Sequence, residues 1–196
     1  MNPRASRRSC LLLLLLFAPA APSAAAEPEP AWSLGADLVF STIESARVPG
    51  GFGLDQTARG AGLRAGRALG PVWRLEANVS VAEHATAQPD ATLRLARATL
   101  EATRLFRPGR PFRPWLLAGA GWWHVGTLAG DLPCDAEGPG AVLAGGWELQ
   151  LRGRLWLHGA ARAEAVRWQG GPSLPAPMFD HWRASSQVVA GLTITL

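Results

Sequence analysis

The chain has 196 residues, with 19 basic residues, all of them arginine, against 15 acidic ones. Arg4, Arg7 and Arg8 belong to a leader, and without them 16 bases face 15 acids, a balance that excludes the basic surface nucleic-acid binding needs. Beyond residue 10 the only cysteine is Cys134, which excludes an intramolecular disulfide and reads as an incidental loop cysteine.

The leader comes first in chain order. The basic residues above precede the apolar run "CLLLLLLFA" (10–18), and "PSAAA" (22–26) supplies an A-x-A cleavage site. This is the pattern of a secretory signal peptide over residues 1–26, and the apolar run is too short for a spanning anchor. Cys10 precedes the apolar run rather than following it, so it is not a lipid-attachment cysteine. Residues 27–196 then suit a single domain.

Eight stretches alternate between apolar and other residues, and each predicts a β-strand with two distinct faces. In "WSLGADLVFS" (32–41), Trp32, Leu34, Ala36, Leu38 and Phe40 share one face and Asp37 lies on the other. The second run, 59–69, sets Ala61, Leu63 and Ala65 against Arg64. The third, "WRLEANVSV" (73–81), sets Trp73, Leu75, Ala77 and Val79 against Arg74, Glu76, Asn78 and Ser80. The fourth, 92–106, sets Ala98, Leu100 and Ala102 against Arg97, Thr99, Glu101 and Thr103. Leu93 and Leu95 are out of phase with that pattern, which predicts a bulge there. Runs at 112–125, 141–151, 154–168 and 184–196 complete the series, with Glu148, His158, Arg162 and Glu164 on the polar parity. No stretch has convincing helical periodicity.

The connections alternate too. "GPV" (70–72), "RPGRP" (107–111) and "RG" (152–153) are short; 42–58, 83–91, 126–140 and 169–183 are long and rich in Gly, Pro, Asp and Ala. An even strand count permits an up-and-down antiparallel closed barrel, and short turns on one rim with long loops on the other is the pattern of outer-membrane barrels. The parity puts both ends of the barrel domain on the short-turn, periplasmic rim.

Alternation alone fits a soluble, lipocalin-like periplasmic barrel as well as a membrane one. Three features favour the membrane. The polar face carries Gly60, Gly62, Gly66, Gly119, Gly121, Gly146 and Gly191, which relieve crowding inside a narrow eight-strand barrel. Its charges come in both signs, as enclosed groups require. The apolar face holds Arg67 and Arg104 only near strand ends, where they can snorkel. Trp32, Trp73 and Phe106 near one set of strand ends, and Phe40, Trp122 and Trp182 near the other, suit two interfacial girdles; Trp147 does not.

The chain resembles the small eight-stranded outer-membrane β-barrel family of the OmpA/OmpX-like type. The resemblance is carried by "RPWLLAGAGWW" (113–123) and the C-terminal "VVAGLTITL" (188–196), where Leu196 stands in the place usually taken by Phe. It implies an all-β, eight-stranded, antiparallel up-and-down transmembrane β-barrel in the outer membrane of a Gram-negative bacterium. Its partners would be outer-membrane lipid and the barrel-insertion machinery, which reads the last strand. Nucleic acid is not an expected partner, and a monomer is expected.

The sequence gives no sign of a catalytic, cofactor or metal site. The lipid A deacylase family resembles the chain in size and uses a His-x-Ser pair, but the histidines here read "HAT", "HVG", "HGA" and "HWR". His84 beside Glu83, with Thr86, is the nearest approach, and it falls in a predicted loop. His158, between Glu148 and Glu164 on the inner parity, reads as a hydrogen-bonded interior histidine. The expected inner charge network comprises Asp37, Arg64, Glu76, Arg97 and Glu101, with a second group of Glu148, His158, Arg162 and Glu164. Charges held in so narrow an interior should pair and obstruct it. Three function classes follow: a structural or surface-interaction barrel presenting four extracellular loops, a narrow channel, and a lipid A-modifying enzyme.

Overall fold

The computed structural model describes residues 32–43, 57–85, 90–130, 135–170 and 182–196. The signal-peptide reading, Cys134 and most of the long connections lie outside these residues.

Eight long strands follow one another: β1 (Trp32–Ile43), β2 (Ala58–Ala68), β3 (Trp73–Ala85), β4 (Thr92–Leu105), β5 (Phe112–Ala129), β6 (Asp135–Arg152), β7 (Leu155–Arg167) and β8 (Trp182–Thr195). A two-residue pairing, Gln169–Gly170, continues the β7 register on β6 beyond Trp168. Each strand pairs antiparallel with its chain neighbour, and β8 pairs with β1, so the sheet closes on itself. Closure leaves no edge with unpaired backbone groups, which a bilayer would not tolerate.

The tilt can be counted from the register. The paired residues Ser33, Gly66, Glu76, Glu101, Gly119, Val142, Glu164 and Ser185 form one row around the barrel. The row returns to β1 at Ile43, ten residues from its start at Ser33. Eight strands with that offset tilt by roughly 40° and enclose a cylinder with a radius on the order of 8 Å, a bore that side chains can fill.

The faces are sorted as the alternation requires. Leu38, Leu63, Leu100 and Val188 point outward, with 57–63% of their surface exposed. Asp37, Arg64, Glu101 and Glu148 point inward and are buried. Among the described side chains, outward strand charges stand only towards the rims: Arg67 and Arg104 at one, Arg59, Glu83, Arg94, Asp135, Glu137 and Arg167 at the other. Between them the outer surface is a continuous band of Leu, Ala, Val and aromatic residues, the face a bilayer needs. A soluble barrel would reverse this arrangement, and that alternative is set aside. Trp147, misplaced for a girdle, lies against Gly159 of β7 and stacks on Phe112, with ring centroids 6.4 Å apart. It fills a depression on the outer wall.

Three expectations need correction. β5 and β6 run well into the segment read as the 126–140 connection, and β3 runs to Ala85, so His84 is a buried strand residue rather than a loop residue. Pairing with long neighbours overrides the weak strand preference of Gly, Pro and Asp. Leu93 and Leu95 do not break phase, since both point inward on the parity of Arg97, whereas the expected bulge has its counterpart in a register shift between Thr92 and Leu93. The interior is apolar at that end, so apolar residues belong on the inner parity there.

The short turns suit their residues. The β6–β7 turn needs a left-handed residue, and Gly153 supplies it at φ 52° without a Cβ penalty. Leu196 N–H donates to Trp32 O at 2.8 Å, which joins the two ends of the barrel wall on the short-turn rim.

Candidate functional site

Among the described residues, the inward charges form the constellation with chemical content. Its layers can be followed from the short-turn rim towards the long-connection rim.

In the first layer, Glu148 of β6 is fully buried and accepts from Arg74 Nη2 at 2.7 Å and from Arg113 Nε at 2.9 Å. Arg113 also lies over the Trp156 ring, 3.7 Å from its centroid. Arg74 Nε stands 3.3 Å from Glu76 Oε1, and Arg64 Nη1 stands 3.6 Å from the same oxygen. Thr103 donates its hydroxyl to the other Glu76 oxygen at 2.5 Å. Arg64 then reaches the His158 ring and donates to Thr193 Oγ1 at 2.9 Å, while His158 Nε2 lies 2.7 Å from Asp37 Oδ1. The result is one chain of alternating charge from Arg113 to Asp37, crossing the bore from β5 to β1.

The second layer is built by Arg162 of β7, which donates to both oxygens of Glu101 on β4; Thr99 donates to Oε1 of that carboxylate at 2.5 Å. In the third, Arg97 pairs with Glu164, whose other oxygen accepts from Trp123 Nε1 at 3.1 Å and Ser185 Oγ at 2.9 Å. Beyond it, Leu93, Leu95, Trp123, Val125, Ala136, Val166 and Trp168 pack into an apolar cluster. A second apolar cluster, Leu105, Trp115, Leu117, Val142 and Ala144 with Ala160 against it, lines the β4–β7 wall beside the first layer.

Inward glycines make this filling sterically workable. A Cβ on Gly121 would strike the Ala98 carbonyl and Thr99, and one on Gly146 would strike the Trp115 ring.

The buried charges among the described residues balance: Arg64, Arg74, Arg97, Arg113 and Arg162 against Asp37, Glu76, Glu101, Glu148 and Glu164. Desolvating an ion costs several kcal/mol, so a neutral interior with every carboxylate bonded to an arginine or to His158 is the arrangement burial demands.

All nine residues singled out in the sequence line the bore, but their grouping differs from expectation. Glu148, His158, Arg162 and Glu164 do not form a group of their own. Each pairs across or around the bore, with Arg74 and Arg113, Asp37, Glu101 and Arg97 respectively. Strand tilt brings different heights of the sequence to one level. Arg74 and Arg113 were missed, although the inner parity of their strands was the signal that could have found them. The apolar cluster with Trp123 and Trp168 was missed too, although both tryptophans fall on the inner parity of their strands. Among the described residues, no group of three or more His, Cys, Asp or Glu side chains could hold a metal ion.

Comparison with known proteins agrees on the fold. Neisserial surface protein A superposes with a TM-score of 0.64 at 16% identity, covering 84% of this chain and 97% of that one. The outer membrane protein OprG of Pseudomonas aeruginosa gives 0.52 at 12% identity, covering 85% and 96%. Ail, the attachment invasion locus protein of Yersinia pestis, gives 0.52 at 12% identity, covering 86% and 100%. At such identities the likeness concerns the fold alone. No curated protein matches the sequence. The family model for the outer membrane protein beta-barrel domain matches residues 10–165. The chain therefore belongs to the outer membrane protein β-barrel domain family, whose place is the outer membrane of Gram-negative bacteria.

Proposed function

We propose that this protein is a structural or surface-interaction barrel: a plugged, rigid cylinder that carries four extracellular segments and conducts little or nothing. The observation that carries this reading is the filled bore, with five arginines against five carboxylates and an apolar cluster at the outer end. Moving water or ions through would require breaking buried ion pairs without replacement, at several kcal/mol each. A signal peptide over residues 1–26 exports the chain, and the C-terminal strand ending at Leu196 is the segment the insertion machinery reads. The barrel acts as a monomer in outer-membrane lipid, without cofactor or nucleic acid.

Partner chemistry is not carried over from the neighbours. Ail has been crystallised with the heparin analogue sucrose octasulfate. In this chain the residues joining the strands on the outer rim hold Glu44, Asp55, Asp90, Asp131 and Asp180 against Arg47, so a polyanion is disfavoured there. The enzyme reading gains no support: His84, its nearest approach, is buried inside the wall, and outward His124 pairs with Asp135 at 2.9 Å.

Planar-bilayer recording tests the plug. The wild type should show little or no steady conductance, and Arg64→Ala and Glu148→Ala, which open the first layer, should show more. A large and stable wild-type conductance would transfer the assignment to the channel class. Release of acyl chains from lipid A by the purified protein would transfer it to the enzyme class.

A further inference from the structure

Charge is distributed unequally between the two rims. On the short-turn rim the exposed or half-exposed charged residues are Arg67, Arg104, Arg107, Arg110, Arg152 and Arg154, with no exposed acid among the described residues. On the other rim Arg59, Arg94 and Arg167 face Glu83, Asp90, Asp135 and Glu137, and Arg94 pairs with Glu83 at 3.5 Å.

Two of the six arginines differ from the rest in direction. Arg67 and Arg104 point outward from the barrel wall, whereas Arg107, Arg110 and Arg154 lie in turns and Arg152 ends β6 at the last of them. Arg67 lies over the Trp32 ring, 5.5 Å from its centroid, and Arg104 lies 6.0 Å from Trp73 and 5.3 Å from Phe106. The supporting tryptophans are cross-strand partners: Trp32 pairs with Arg67 and Trp73 with Arg104. Interfacial aromatics mark the headgroup level of a bilayer, and the cation–π contacts hold each guanidinium at that level. The guanidinium carries its N–H groups in a fork whose geometry matches phosphate oxygens.

We propose that Arg67 and Arg104, with their aromatic supports, form a site on β1–β4 for the phosphodiester of an anionic glycerophospholipid in the periplasmic leaflet, phosphatidylglycerol in particular. Arg107, Arg110, Arg152 and Arg154, in or next to the turns, supply a positive field that favours an anionic headgroup over a zwitterionic one. A soluble acidic partner approaching from the periplasm would meet those turns, not two arginines that face sideways into the headgroups. The proposal rests on the membrane assignment and on the rim orientation, and it is independent of any partner of the extracellular segments.

The test is native mass spectrometry of the folded protein in detergent with equal amounts of phosphatidylglycerol and phosphatidylethanolamine. Wild type should retain phosphatidylglycerol preferentially. Arg67→Gln with Arg104→Gln should lower its affinity on the order of 25-fold, about fivefold for each arginine. Arg59→Gln, on the opposite rim, should leave the preference unchanged. Should the double variant fail to fold, Arg67→Gln alone carries the test through its fivefold loss. Equal retention of the two lipids by wild type, or a preference that survives the folded variant, overturns the site. A preference lost through Arg107→Gln and Arg110→Gln but not through the outward pair also overturns it, in favour of a diffuse field at the turns.

Discussion

Glu148 accepts from two arginines while fully buried, and its loss would leave Arg74 and Arg113 short of their shared carboxylate. Removing one partner of such a pair costs about 3–5 kcal/mol, because the remaining charge stays desolvated. The Glu83–Arg94 pair has the same chemistry but is about half exposed, and exposed pairs contribute about 0–1 kcal/mol. Glu148→Ala should therefore lower the urea midpoint of the detergent-refolded barrel strongly, and Glu83→Ala should barely move it. Equal effects of the two would mean that the interior pairs are solvated and that the plug reading fails. The sequence marks Glu148 as an inner strand residue and puts Glu83 in a connection, whereas the structure places both in strands. Burial separates their energetics.

Within a strand, parity decides what each side chain meets. Leu100 on β4 and Ala161 on β7 face outward, between the charged rims, while Thr99 and Ala160 face the bore. Leu100→Arg and Ala161→Arg should each destabilise the folded barrel in lipid by about 2–4 kcal/mol at midplane depth. In Thr99→Arg the new charge would crowd Glu101 instead, so its effect should not depend on bilayer thickness as the outward variants' effect does. Refolding titrations in bilayers of two thicknesses distinguish these cases, and an arginine at Leu100 that costs nothing would show the face to be unlipidated. Alternation made this sorting legible residue by residue. It fell short at the outer end of the bore: His84 lies beyond the alternating run, and Leu93 and Leu95 are apolar residues on the inner parity of an apolar end.

The closed sheet behaves as one cooperative object. With β8 paired to β1 there is no edge strand from which unfolding can start, so partial unfolding must break a full ladder. The protein extracted in mild detergent should migrate differently on a gel before and after boiling. Identical mobility of the two samples would argue against a stable closed barrel. The same closure fixes the bore near 8 Å in radius, which is why ion pairs and tryptophans fill it rather than line a pore.

The contrast between short and long connections was legible only in part, because 86–91 and 130–134 are no longer than 106–111, but the strand number and the two faces were determined by the sequence itself. Each follows from a local period of two and from turn composition within a few residues. Which charges pair was decided by tertiary structure alone. The row through Ser33 returns to β1 ten residues away, so residues level with each other across the bore stand at unrelated places in the sequence. Arg162 therefore meets Glu101, and Arg97 meets Glu164, instead of neighbours on their own strands. The offset that brings them together is a property of the closed sheet. It is fixed by the register of all eight ladders at once, and no single stretch of sequence encodes it.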